Sequence, residues 1–430
     1  MRTMQIAIKL KAWTQSVAAV ALVSVLAACG GGGGGDSSSS SSSSSSVLNG
    51  GSLPASPTQQ PIAANAANTV AITVGFGVKG VINIPTVSVT VCAPGSTTNC
   101  QTVDNIQVDT GSFGLRVVSS QLSSVLGSLQ VTQVAGGALA ECATFADGYT
   151  WGSVRTASVT IGGETTTTSI PVQIIGDMAS STVPAGCTGV AQNTASALGA
   201  NGILGIGTAP NDCGATCANA STAANNSNYF ACPSGTSCTR TAVPTAQQVT
   251  NPVAKFATDN NGVIVQMPPV GNTGASSATG TLVFGIGTQS NNALAAAQTF
   301  TTNAWGDLNN SVFNGTTVQA FLDSGSNAYF FSDSSLAQCG STYAGFYCPS
   351  SAQTRSISLV GLNGAKTTAN IGILSAATLF GSGSNYAFND LAGQLSGSSS
   401  FDLGLPFFYG RYVYFGIDQT PGGQAPYVAF

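Results

Sequence analysis

The chain has 430 residues, 11 Lys and Arg against 15 Asp and Glu, and a formal net charge of −4. Only 6% of residues are charged and there is no His. The missing His excludes Ser-His-Asp and Cys-His nucleophile systems, and so few basic residues argue against nucleic acid, which requires basic patches.

Arg2, Lys9 and Lys11 precede a charge-free stretch, Ala12 to Val25, and the sequence Leu26-Ala27-Ala28-Cys29. A short apolar run after basic residues predicts a secretory signal over 1–28 rather than a lasting transmembrane helix. Leu26-Ala27-Ala28-Cys29 resembles the bacterial lipobox, which implies cleavage before Cys29 and lipidation of that cysteine. The low-complexity run of Gly30 to Gly35 and Ser37 to Ser46 cannot bury apolar surface, so 29–68 is expected to be a tether. The membrane is then met only through the lipid anchor. Sorting to the outer membrane is the expectation, because Gly30 and not Asp follows Cys29.

With Cys29 set aside, ten cysteines remain, an even number that suggests disulfides in an exported protein. Cys92 and Cys100, and Cys339 and Cys348, are close enough in sequence to close hairpins. Cys213, Cys217, Cys232 and Cys238 cluster with no connectivity implied, which leaves Cys142 and Cys187 for each other. With no His and no tight pair of CxxC motifs, no metal is expected, and no cofactor either.

Abundant Gly, Ala, Ser, Thr and Val in short alternating runs predict an all-β protein. The remaining chain is too long for one small core, so two lobes are expected, at 69–280 and 281–430. In chain order, strands are predicted at Val70–Val74, Thr86–Val91 and Ile106–Val108. A hairpin follows, Val154–Ile161 with Thr165–Ile175 around Gly162-Gly163. Residues 187–250, rich in Cys, Asn, Ala and Thr, read as a disulfide-bearing surface insertion. Then come a strand at Thr281–Gly287, a hairpin of Ile357–Val360 and Lys366–Ile373 around Asn363-Gly364, and an aromatic strand at Tyr409–Ile417. Short helices are predicted at Ser120–Leu129 and Asn292–Gln298.

The two halves repeat. Ile106-Gln107-Val108-Asp109-Thr110-Gly111-Ser112 runs into Phe113-Gly114-Leu115-Arg116-Val117, and Ala320-Phe321-Leu322-Asp323-Ser324-Gly325-Ser326 runs into Asn327-Ala328-Tyr329-Phe330-Phe331. Each is followed, many residues later, by an apolar segment with Gly: Asn201 to Gly207, and Asp402 to Phe408. A lone Asp-Thr-Gly arises by chance in turns, where Asp readily caps its own backbone. Two copies, each in an apolar strand and each with its later Gly segment, are far more specific.

On these residues the chain resembles the pepsin-like aspartic proteases over about 69–430. The resemblance implies a two-lobed acid-protease fold with one Asp-Thr/Ser-Gly loop per lobe, making Asp109 and Asp323 the catalytic pair. It implies loop support from Thr110, Gly111, Ser112, Ser324, Gly325 and Ser326, with Ile203-Leu204-Gly205 and Leu403-Gly404 to Phe408 as the segments crossing beside the loops. Two adjacent carboxylates then share one proton, so one activates water and the other protonates the scissile carbonyl. Cys142 to Gly148 resembles the family's flap, with Phe145 where a Tyr is expected; Tyr149 and Trp151 are the candidates to replace it. Arg116 stands where the family has Trp, to pair with an acid or to face solvent. The layout also resembles a group of proteobacterial lipoproteins that carries no implied substrate.

The function expected is a monomeric, lipid-anchored aspartic-type endopeptidase of the cell envelope acting on polypeptide. The rivals are a binding or structural lipoprotein on the same fold, holding a peptide ligand, and a β-rich adhesin.

Overall fold

The computed structural model describes residues 51–233, 238–395, 397 and 399–430. The signal, Cys29 and most of the tether lie outside the described residues. The chain is mostly β, with one 18-stranded and one 7-stranded sheet and five disulfides, Cys92–Cys100, Cys142–Cys187, Cys213–Cys217, Cys232–Cys238 and Cys339–Cys348.

Strand Thr69–Val74 alternates as its sequence does, with Ile72 and Val74 in the core and Ala71 and Thr73 exposed, as a half-buried strand requires. It pairs antiparallel with Ala278–Phe284 over its full length. Ala278–Phe284 pairs in turn with Gly262–Gln266, which pairs with Tyr412–Gly416, and Tyr427–Ala429 and then Thr299–Thr301 follow. The boundary expected at 280/281 therefore falls inside a strand, and the last residues of the chain return to the larger sheet. Long-range pairing of this kind leaves no local trace in sequence.

The first motif ends strand Cys100–Asp109. Gly202–Ile206 runs parallel to it, with Gly205 opposite Asp109, and antiparallel to Phe113–Val118. Phe113–Val118 has Ile170–Ile175 parallel on its other side. The second motif repeats this in the smaller sheet. Thr316–Asp323 has Ser400–Gly404 parallel to it, with Gly404 opposite Asp323; Ser400–Gly404 is antiparallel to Tyr329–Phe331, which has Ala392–Gln394 parallel on its far side. These central strands are buried on both faces, which explains their unbroken apolar runs. One core, including Val108, Leu115, Leu204, Leu322, Phe401 and Leu403, lies beneath both motifs.

Both expected hairpins form. Gly148–Ile161 pairs with Glu164–Thr165 and Ile170–Ile175, and Gln353–Val360 with Lys366–Ile373. Neither expected helix does. Residues 120–129 form two short 3-10 turns, Ser119–Gln121 and Leu126–Ser128, which still bury Leu122, Val125 and Leu129; Ser and Gly there favour turns over a continuous helix. At 292–298 no helix forms. Asn292 donates to the Phe284 carbonyl at 3.0 Å and to Thr288 Oγ1 at 2.8 Å, fixing an irregular path that a seven-residue alanine-rich run is too short to resist.

The segment 187–250 is not wholly a surface insertion. It contains the central strand Gly202–Ile206, and Tyr229–Cys232 adds to Gly137–Phe145. Cys213, Cys217, Tyr229, Val243 and Val249 form a buried cluster with Leu139 and Val154.

Candidate active site

Each Asp closes an apolar strand at a tight loop. Asp109 Oδ1 accepts from the Gly111 backbone N–H at 2.9 Å, and Oδ2 from Ser112 Oγ at 2.6 Å. Asp323 repeats the pattern, Oδ1 with the Gly325 N–H at 2.7 Å and Oδ2 with Ser326 Oγ at 3.0 Å. Each side chain is thus turned back over its own loop by one main-chain and one hydroxyl donor.

The loops also grip each other. Thr110 Oγ1 donates to the Leu322 carbonyl at 3.1 Å and accepts from the Ser324 N–H at 2.9 Å. Ser324 Oγ donates to the Val108 carbonyl at 2.8 Å and accepts from the Thr110 N–H at 3.2 Å. These four reciprocal bonds are buried, and buried satisfied networks of this kind fix geometry. Gln107 adds a further tie, its amide donating to the Gly325 carbonyl at 2.9 Å.

The loops lie so close that only glycine fits between them. A Cβ on Gly111 would come within 2.5 Å of Asp323 Cγ, and one on Gly325 within 2.5 Å of Asp109 Oδ1. Asp109 and Asp323 are 4% and 8% exposed, so both keep a small accessible face while two acidic side chains converge on one place. The crossing segments brace the loops: the Gly207 N–H donates to the Ser112 carbonyl and the Leu405 N–H to the Ser326 carbonyl. The eight loop residues singled out in the sequence meet at this point.

The flap candidates separate. Gly137–Phe145 and Gly148–Ile161 form the hairpin. Phe145 packs against Val118, Ile175, Leu198, Ala200 and Ile203, with the Arg116 guanidinium 5.9 Å from its ring centre. Trp151 is fully buried, edge-on to Phe230, and donates its indole N–H to Thr182 Oγ1; it packs in a cluster with Cys142, Cys187, Cys232 and Cys238. Tyr149 packs with that same disulfide-rich cluster.

Of the two roles left open for Arg116, it takes the first, pairing with Glu141 at 2.6 Å and Asp212 at 3.1 Å. Three features escaped the sequence reading. Gln107 reaches across from its strand to the Gly325 carbonyl. Asn83, buried at φ +50°, donates to the Asn327 and Phe388 carbonyls and pins the segment behind the second loop. Trp305 sets its ring 5.8 Å from that of Phe113, next to the first loop. A signal existed for Gln107, a polar residue inside an otherwise apolar run. For Asn83 and Trp305 there was none. Among the described residues, no three His, Cys, Asp or Glu side chains gather to hold a metal ion.

Fold and site together define a mostly β, disulfide-bonded protein with a duplicated Asp-hydroxyl-Gly-Ser loop. Residues 64–430 match the DUF3443 family, described as a protein of unknown function, and the chain belongs to that family. No curated protein matches it. Among the described residues no helix is long and apolar enough to cross a membrane.

Proposed function

We propose that this protein is a pepsin-like, two-lobed aspartic-type endopeptidase, exported and held in the cell envelope by a lipid on Cys29. One observation carries the reading: two Asp loops of the same design interlock through reciprocal hydrogen bonds, and each loop's glycine faces the other loop's carboxylate. Neither a turn role nor a packing role needs both copies at one point.

The chemistry follows from two carboxyl groups holding one proton between them. The ionised carboxylate takes a proton from a water while the protonated one donates to the scissile carbonyl oxygen. The water oxygen bonds to the carbonyl carbon, giving a tetrahedral diol. Its collapse breaks the C–N bond, and a proton passes to the leaving amine. The Gly and Ser donors to each Asp fix the carboxyl planes. No covalent intermediate and no His are needed.

The test is cleavage of a peptide library by the mature protein in mildly acidic buffer. Asp109→Asn and Asp323→Asn should each lower the rate by about a thousandfold or more, with near-ultraviolet circular dichroism unchanged. A statine-type mimic of the tetrahedral state should block the wild-type protein. A folded wild-type protein that binds peptides but cleaves none would defeat this proposal in favour of a peptide-binding lipoprotein on the same fold.

A further inference from the structure

Seven positions beyond Asp109, a charged side chain is buried where an apolar one would suffice. Arg116 is 3% exposed. Its Nη1 donates to the Phe113 carbonyl at 2.8 Å, and Phe113 directly follows Ser112, which holds Asp109. Its Nη2 donates to Glu141 Oε1 at 2.6 Å and Asp212 Oδ2 at 3.1 Å. Tyr229 donates its hydroxyl to Asp212 Oδ1 at 2.5 Å and accepts from the Val249 N–H at 2.6 Å. Glu141 lies in the flap-like hairpin, Asp212 precedes the Cys213–Cys217 disulfide, and Tyr229 opens the strand ending at Cys232. One guanidinium therefore ties the first loop to the hairpin and to the cysteine-rich segment.

The charges show how the cluster is arranged. Glu141 and Asp212 side chains are 0% and 3% exposed, and among the described residues Arg116 is the cation that faces them. Both acids ionised would leave a net negative charge buried, which is costly. Glu141 Oε2 is buried without a donor, and the Glu141 and Asp212 carboxyls accept from the same Arg116 nitrogen. A proton on Asp212 makes the cluster neutral.

We propose that Arg116, held between Glu141 and a protonated Asp212, is the positioning residue of the Asp109 loop, and that this cluster grips the loop in acid and loosens it as the medium turns alkaline. The inference rests on reading Asp109 as a reacting group. The groups facing Asp212 are Arg116, Glu141 and Tyr229. Burial first, and then the Glu141 charge, hold the Asp212 carboxyl well above its ordinary range, against the opposing pull of Arg116. Burial also raises the Tyr229 phenol, so it remains a donor. A carboxyl raised in the folded state contributes stability that is fully present below its unfolded value and lost as pH rises through its folded value. The grip is thus strongest where a carboxyl pair sharing one proton works.

The test compares wild type with Asp212→Asn, whose amide keeps the shape and the donor but cannot ionise. Hydrogen exchange at the Gly111 and Phe113 amides is followed from acid to alkaline buffer and corrected for intrinsic rates. Wild-type protection should fall by about tenfold or more across that range, while the Asn variant holds its protection to higher pH. Arg116→Gln should lose protection at every pH, and Arg116→Lys should recover part of it. Wild-type and Asp212→Asn curves that coincide would overturn the proposal. In peptide hydrolysis, the alkaline fall of kcat should move to higher pH in Asp212→Asn, with KM unchanged. Exchange is read without substrate, so a failed peptidase reading, seen as no cleavage by wild type, is distinct from a failed cluster.

Discussion

The two motif loops are built alike, but the strands that leave them are held differently. At the seventh position after Asp109 stands Arg116, paired with the Glu141 and Asp212 carboxyls, the latter also held by the Tyr229 hydroxyl. At the seventh position after Asp323 stands Phe330, fully buried among Ile82, Ala328, Phe346, Leu379 and Phe388. Next to it, Phe331 stacks on Phe401 with ring centres 4.7 Å apart. One loop is thus positioned by charges and hydrogen bonds and the other by rings. Apolar packing is insensitive to pH, and a buried cluster with an excess of acids is not. The asymmetry makes the first loop the adjustable member of the pair and the second the fixed reference.

The largest effect should come from breaking the symmetry at the loops themselves. Gly111→Ala and Gly325→Ala each place a methyl 2.5 Å from an atom of the opposite carboxyl group, so the two acids must part. A displacement of about 1 Å costs a positioned reaction on the order of a hundredfold. Both variants should therefore lose at least that much peptide cleavage in steady-state assays. A large loss from only one of them would mean that the loops do not contribute equally.

The next effect separates the two kinds of support. Arg116→Leu leaves the buried Glu141 and Asp212 carboxyls without their cation and should cost about 3–5 kcal/mol. The cost should be smaller in acid, where Asp212 holds its proton, and larger in alkaline medium, where it does not. Phe330→Ala opens a cavity and should cost a similar ~3–5 kcal/mol, the same at every pH. Urea unfolding at several pH values checks both. Parallel pH profiles would abolish the distinction between an ionic and an apolar half.

What was legible in the sequence follows the same division. Asp109-Thr110-Gly111-Ser112 and Asp323-Ser324-Gly325-Ser326 stand out because turn, donor and carboxylate must be contiguous. The crossing strands were legible because strands buried on both faces leave apolar runs around a Gly. The partners of Arg116 were not, since Glu141 and Asp212 lie 25 and 96 positions away and nothing local marks them. Residues 120–129 kept an apolar spacing that satisfies the core without a helix, so periodicity was right about Leu122, Val125 and Leu129 and wrong about the backbone. The strand spanning 280/281 was not legible as one unit, because Ala278–Phe284 is specified by its partners Thr69–Val74 and Gly262–Gln266, which lie outside it in sequence.

The smallest effect contrasts one hairpin from each sheet. Gly162 turns the first hairpin at φ +60° and Gly364 the second at φ +80°, a region where any other L-residue is strained by roughly 1–2 kcal/mol. Their surroundings differ. A Cβ on Gly364 would meet nothing within 4 Å, whereas one on Gly162 would lie 2.5 Å from the Thr69 carbonyl oxygen. The neighbouring Gly163 N–H is bonded to the Ala67 carbonyl at 2.9 Å, so the first turn is clamped to the entering chain and has no room to withdraw. Gly364→Ala should therefore cost only the conformational strain, about 1 kcal/mol. Gly162→Ala should cost that plus displacement of the Ala67–Thr69 backbone. The difference is read as separate urea midpoints at one pH. Equal midpoints would show that the entering chain yields freely, and that the first sheet is no more tightly tied at its turn than the second.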